Sequence, residues 1–371
     1  MARLLFVTWD GGGNVSVALG VASALLARGH DATMLGPPSL RESIENTGVG
    51  YAKLGVRPPA DPSRRTEYLM QVVGSTDLAP SLRGLIEELN PDGMVIDCNL
   101  SWALELPIPV PAAVLVHTAL GLYLPVWQPV IDATNRRRLG SGLVPLKPAP
   151  DSWLSHQAVI VASLLRFDCA PQPLPENVTY VGPIRRRHGN GRSTMAAPDP
   201  TNTPLVLVSY STDPLQNGPE RLQEALDGLA DLPVRVLATT SGAFDPERLS
   251  VPPNASVVND IRHDQVMAGA QAIVTHGGHG TTLEALCHGL PVVCVPGLGR
   301  DQVPIARRVA ELGLGVALAT DSTAGDIRKG VRTVLRDHSY RERAREFERR
   351  CGDTDGATAA AEILERALIS R

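Results

Sequence analysis

The sequence predicts an α/β chain organised as two doubly wound, parallel-sheet domains. Three observations carry that prediction. Short β-branched apolar runs alternate with segments of helical spacing, the pattern of βαβ units and parallel sheets. The alternation breaks after Val181-Gly182-Pro183, where residues 185–203 are rich in Gly, Pro, Ser, Asn and Arg and have no apolar periodicity, and it restarts at Leu205. The length of 371 residues also suits two domains of roughly 100–200 residues each.

In the first half, Leu4–Val7 reads as a strand. Ala18–Ala27 reads as a helix closed by Arg28-Gly29, a good C-terminal stop. Ala32–Leu35 is a second strand, and Leu40–Thr47 a helix ending at Gly48. Leu82–Leu89 is a helix ending at Asn90-Pro91; Met94–Ile96 is a strand leading to Asp97, and Val110–Val116 one leading to His117. Residues 55–65 and 122–147 show no clear period and read as loops. In the second half, strands are expected at Leu205–Val208, Val234–Ala238, Val257–Val258, Ala272–Thr275, Val292–Val295 and Val316–Leu318. Helices are expected at Leu222–Leu229, Gln302–Leu312, Thr323–Arg336, Tyr340–Arg350 and Ala357–Ile369.

Composition excludes several classes. The chain is 43% apolar and 20% charged, enough to bury sizeable cores. A net charge of −4 and 4% aromatic residues give no reason to expect nucleic acid. The five cysteines are odd in number and contain no Cys-x-x-Cys, which fits reduced thiols better than a disulfide framework. With no signal-peptide pattern at the first strand and no uninterrupted apolar run of about 18 residues, no membrane span is expected and the protein is placed in the cytoplasm.

The chemistry concentrates in Val274-Thr275-His276-Gly277-Gly278-His279-Gly280-Thr281-Thr282-Leu283-Glu284. A buried strand runs into a glycine-rich turn and then a helix. The glycines remove side chains where the backbone turns sharply or comes close to a ligand. A helix start offers outward N–H groups and a positive dipole end, here near Thr281 and Thr282, so the stretch suits a phosphate. It lacks the Gly-x-x-x-x-Gly-Lys-Ser/Thr of a P-loop. After the next apolar run come Asp301 and Gln302, suited to hydrogen-bonding several hydroxyls, or to starting a helix as N-cap and first-turn residue. Phosphate plus polyol suggests a nucleotide sugar. The early run Gly11-Gly12-Gly13-Asn14-Val15-Ser16 is a poor dinucleotide fingerprint: Ser16 fills the third glycine position, and Asp31 opens the second strand instead of ending it. His276, His279 and His288 have no Cys or carboxylate cluster at ligand spacing, so no metal is expected.

The ordered set His276-x-Gly278-x-Gly280-Thr281, Glu284-Ala285, Gly289-x-Pro291, Pro296 and Asp301-Gln302 closely resembles the donor signature of the GT-B glycosyltransferases of natural products, the family of plant UDP-glycosyltransferases and actinobacterial macrolide and antibiotic glycosyltransferases. The resemblance is best over residues 204–318. It implies two Rossmann-like domains facing a cleft: an acceptor domain at 1–184, a linker at 185–203, a nucleotide-sugar domain at 204–355, and a last helix at 356–371 packing back on the first domain. It implies an inverting, metal-independent enzyme that moves a sugar from UDP or dTDP to a small hydrophobic acceptor, with the nucleotide sugar as co-substrate and no other cofactor. By resemblance His276 donates to phosphate, Glu284 binds the ribose, Asp301 and Gln302 bind the transferred sugar, and Ser209 and Ser211 lie near the diphosphate.

One departure bears on mechanism. The family usually carries a histidine base in the first loop, oriented by an aspartate after a later strand. Here Asn14 stands where that histidine falls, while Asp97 matches the aspartate. Asn cannot take a proton. Asp10 or Asp97 is therefore the expected base, with His117 a further candidate; otherwise the acceptor is acidic enough to need little help, or the chain is a nucleotide-sugar-binding auxiliary or inactive homologue without efficient turnover.

Overall fold

The structure, a computed structural model, describes residues 1–55, 61, 64–184, 203–211, 217–261, 263–297, 299–352 and 355–369. It divides into two compact units, Met1–Arg187 with Thr354–Arg371, and His188–Asp353. The expected linker lies outside the described residues apart from Thr203.

In the first unit the order is β1 (Arg3–Val7), α1 (Gly13–Ala27), β2 (Asp31–Gly36), α2 (Arg41–Glu45), β3 (Gly50–Lys53), α3 (Arg65–Gly74), α4 (Ala79–Leu89), β4 (Gly93–Asp97), α5 (Ser101–Leu104), β5 (Ala112–Val116), α6 (Leu120–Gly140), α7 (Ala149–Leu154), β6 (Ala158–Val161) and β7 (Val178–Tyr180). One sheet runs β3-β2-β1-β4-β5-β6-β7 with every neighbour parallel. Strands β4 and β5 are buried at each position because helices cover both faces. Alternation along the strands feeds two cores. Leu5, Val7, Met94 and Ile96 face one, with Tyr123 and Trp127; Leu4, Phe6, Met34 and Val95 face the other, with Leu19 and Val21. The second core also takes Ala357, Ala360, Ala361 and Leu364 of α14 (Gly356–Leu364). There the Arg28 guanidinium grips Glu365 through two bonds of 2.7 Å.

Residues 122–140 are helix, not the loop the sequence suggested. Pro125 and Pro129 interrupt the sequence pattern, yet both sit inside α6. Tyr123, Trp127, Val130, Ile131 and Thr134 form one buried face of α6, and that burial outweighs local propensity. The helix start is held from afar: the amides of Gly121 and Leu122 donate to the Asp168 carboxylate at 2.9 and 3.0 Å.

The second unit contains β8 (Leu205–Ser209), α8 (Pro219–Leu229), β9 (Arg235–Thr239), β10 (Ala255–Val258), α9 (His263–Met267), β11 (Ala272–Thr275), α10 (His279–Leu286), β12 (Val292–Cys294), α11 (Gln302–Glu311), β13 (Gly315–Ala317), α12 (Ala324–Arg336) and α13 (His338–Cys351). Its sheet runs β10-β9-β8-β11-β12-β13, again all parallel. Both sheets change direction of strand order once, at β1/β4 and at β8/β11, which is where open α/β sheets bind ligands.

The thiol expectation needs correction. Cys287, at the end of α10, and Cys351, at the end of α13, form a disulfide across 64 residues, while Cys98, Cys169 and Cys294 are free. The pairing joins two helices whose proximity no local spacing reveals. Among the described residues no helix is long and apolar enough to cross a membrane.

Candidate active site

In the second unit the site forms at the carboxyl edge of β8, β11 and β12. Gly277 takes φ 77°, a conformation that glycine alone adopts without cost. Gly278 is different. Its backbone is ordinary (φ −63°, ψ 136°), but any Cβ there would overlap the His276 ring. One glycine makes the turn; the other makes room for an imidazole laid across the start of α10. No side chain caps that start. The first amide to close on the helix is that of Thr282, to Gly278 O at 3.0 Å. The amides of Gly280 and Thr281 therefore point out of the helix's positive end. Thr282 departs from the expectation: its amide is used inside the helix and its side chain is buried, with Oγ1 lacking a hydrogen-bond partner among the described residues.

Around this helix start the other residues divide. Ser209 Oγ lies 3.0 Å from His263 Nε2, and His263 Nδ1 lies 4.0 Å from Glu284 Oε2. His263 thus bridges two residues singled out from sequence. It carries no sequence signal of its own, being a single histidine opening a helix of 5 residues. Ser211 is buried, and its carbonyl accepts from Asn217 Nδ2 at 2.8 Å. Gln302 is 2% exposed, and its Oε1 accepts from the Gly297 amide at 2.6 Å, so this oxygen shapes the loop after β12. Asp301 is half-buried at the start of α11 and does not cap it.

In the first unit the carboxyl ends of β1, β4 and β5 lie side by side. Helix α1 starts at Gly13, so Asn14 is already helical where the sequence suggested a loop. Gly12 before it takes φ 88°. Asn14 is 2% exposed, and its Nδ2 donates to Asp97 Oδ2 at 3.0 Å and to Trp9 O at 2.9 Å. Asp97 Oδ1 accepts from Trp9 Nε1 at 3.2 Å and from the Asn99 amide at 2.9 Å. On the other side of the carboxylate, His117 Nδ1 stands 3.4 Å from Oδ2. Asp10 is turned elsewhere and accepts from Ser39 Oγ at 2.5 Å.

Asn14 and Asp97 are thus brought together, and His117 joins them. Burial opposes a charge on the His117 ring, but the Asp97 carboxylate outweighs it and holds the imidazole well above its ordinary value. Burial pushes the Cys98 thiol up, so it stays protonated. Asp97, Cys98 and His117 offer ligand atoms within 4.8 Å of one another, a grouping that sequence spacing does not suggest.

Residues 223–365 match the family model described as erythromycin biosynthesis protein CIII-like, C-terminal domain. The chain is 24% identical to NDP-glycosyltransferase YjiC of Bacillus licheniformis over 96% of its own length and 95% of the relative's. It is 26% identical to demethyllactenocin mycarosyltransferase of Streptomyces fradiae, over 99% and 87%. Among solved structures, the calicheamicin glycosyltransferase CalG4 superposes with a TM-score of 0.78 at 25% identity, covering 99% of this chain and 98% of that one. Two parallel sheets, each flanked by helices, form the GT-B fold, and the relatives that match are named glycosyltransferases. In sequence and fold the chain is similar to the antibiotic and macrolide glycosyltransferases of natural-product biosynthesis.

Proposed function

We propose that the protein is an inverting glycosyltransferase that moves a sugar from a UDP- or dTDP-sugar to a small lipophilic acceptor of polyketide, macrolide, phenol or flavonoid type. The observation that carries this reading is the open start of α10 beneath the His276 ring. The diphosphate gains negative charge as its bond to the sugar breaks. Preorganised amides at Gly280 and Thr281, with His276, meet that charge where it develops. These donors supply the stabilisation without a metal, and no cofactor beyond the nucleotide sugar is invoked. Glu284 is assigned to the ribose, Asp301 and the Gln302 carboxamide nitrogen to the transferred sugar. Single displacement at C1 inverts the anomeric configuration.

Asn14 favours a second reading, a nucleotide-sugar-binding auxiliary without efficient turnover. Incubation with UDP-glucose or dTDP-glucose and a panel of phenols, flavonoids and macrolides, followed by mass spectrometry, separates the two. A hexose gain, with an inverted linkage by NMR coupling, supports the transferase. Calorimetric binding of nucleotide sugar without product supports the auxiliary. Binding of neither nucleotide sugar rejects the donor assignment.

A further inference from the structure

We propose that His117 is the general base of the transfer and that Asp97 is the residue that positions it. This rests on the transferase reading above and names the group that reading leaves open.

The placement follows from the sheet. Strands β1, β4 and β5 are neighbours, so their carboxyl ends present Asn14, Asp97 and His117 in a row with the carboxylate in the middle. A carboxylate there can orient a side chain on either flank. On the β1 flank stands an amide that cannot accept a proton. On the β5 flank stands an imidazole whose Nδ1 faces Asp97 Oδ2 at 3.4 Å. That contact selects the Nδ1–H tautomer and leaves the lone pair on Nε2. Nε2 has no hydrogen-bond partner among the described residues, and the side chain is 15% exposed. This is the pairing by which a carboxylate holds a histidine base in its working orientation.

The competing bases fit less well. Both oxygens of Asp97 already accept hydrogen bonds, from Trp9, Asn99 and Asn14. Asp10 is engaged by the Ser39 hydroxyl. Cys98 is fully buried, and its thiol donates to Asn99 Oδ1 at 3.4 Å.

In the step itself His117 Nε2 takes the proton of the acceptor hydroxyl. The oxygen's electron pair forms the bond to sugar C1, and the bond from C1 to the β-phosphate oxygen breaks, its pair leaving with the nucleoside diphosphate. Asp97 stays ionised and faces the imidazolium until the proton passes to solvent. Among the described residues, the titratable groups facing the ring are Asp97 and Cys98 from the end of β4 and Tyr123 from α6, whose ring centroid lies 6.0 Å away. The carboxylate keeps the ring protonated above its ordinary range, so kcat/KM must rise with pH as the ring loses that proton.

The test uses the full chain, UDP-glucose and dTDP-glucose, and two phenols, 4-methylphenol and the more acidic 4-nitrophenol. His117→Gln keeps a polar side chain of similar reach but no base. The expected result is turnover slowed by about 10²- to 10⁴-fold with donor KM unchanged, a smaller loss for 4-nitrophenol, and loss of the rising pH limb. Partial rescue of His117→Gly by added imidazole is expected as well. Activity of His117→Gln within a few-fold of the parent overturns the proposal. So does an equal loss for both phenols, or activity that follows added Zn²⁺ and disappears with chelator, which would make Asp97, Cys98 and His117 a metal centre. Ring ¹⁵N NMR of the parent protein is decisive even without turnover or if the variants fail to fold: a deprotonated His117 carrying its proton on Nε2 overturns the assignment. Failure of the underlying reading looks different, as neither nucleotide sugar would then bind.

Discussion

Gly278→Ala isolates the role of His276 with little disturbance of the fold. Alanine adopts φ −63°, ψ 136° without strain, so the backbone has no reason to change. The new methyl would overlap the imidazole, and the three nearest atoms are all in that ring. The ring must swing off the start of α10, at a conformational cost of about 0.5–1.5 kcal/mol. Binding should lose more. A hydrogen bond to a charged group contributes about 1.5–3 kcal/mol, and each ~1.4 kcal/mol is tenfold in Kd. UDP and dTDP should therefore bind roughly 10- to 150-fold more weakly by isothermal titration calorimetry. Gly280→Ala separately tests the phosphate side of the same helix start. No atom lies within 4 Å of its new Cβ, and it sits in the first turn of α10. Alanine there should stabilise the helix by about 0.5–1 kcal/mol and still weaken binding, because the diphosphate needs the space above that amide. UDP affinity of Gly278→Ala within twofold of the parent would refute the argument, since the His276 ring cannot stay in place beside the added methyl.

Asp168 is 6% exposed and accepts from the amides of Gly121, Leu122 and Cys169 and from the Tyr180 hydroxyl, so Asp168→Ala should cost about 2–4 kcal/mol in urea unfolding. A change below about 0.5 kcal/mol would mean that α6 does not depend on this carboxylate. Hydrogen bonding from Arg28 lowers Glu365 from 4.5 to about 2, so the pair adds stability above the ordinary carboxylate value that is lost as pH falls from 4.5 toward 2. Arg28→Ala should flatten that limb of a stability–pH curve. Asn14→His restores the family's residue at a position 2% exposed, where a Cβ on Gly11 would already crowd the Trp9 ring and Asn14 Oδ1. The larger ring should destabilise the protein by about 1–3 kcal/mol and slow turnover; product formation faster by about 10²-fold or more would instead show that the parent lacks a base.

What the sequence revealed follows the range of the interaction that encodes it. The β11–turn–α10 segment was legible because consecutive residues specify its whole geometry, Gly277 by its dihedral and Gly278 by its missing side chain. Strand β3 was not legible, because Gly50–Lys53 is short, partly exposed and without alternation. Helix α6 was misread because Pro125 and Pro129 argue locally against it, while the face buried through Tyr123 and Trp127 argues for it only in three dimensions. His263 was missed because its partners, Ser209 and Glu284, come from other strand–helix units. The Cys287–Cys351 pairing was hidden for the same reason.

The parallel sheet explains how a half-kept motif remains chemically complete. A sequence motif ties a base to one loop, here the turn after β1, and by that measure Asn14 removes it. The sheet ties the base only to the carboxylate at the end of β4, and β4 has two neighbours. Asn14 still serves the carboxylate from the β1 side: its amide donates to the same Oδ2 that His117 faces, which helps fix that oxygen. With a histidine at both positions, two rings would compete for one oxygen and each would be held less firmly. An amide that only donates avoids that competition, so the residue that looks like a loss in the first loop is what allows a single imidazole, one strand over, to be held in one orientation.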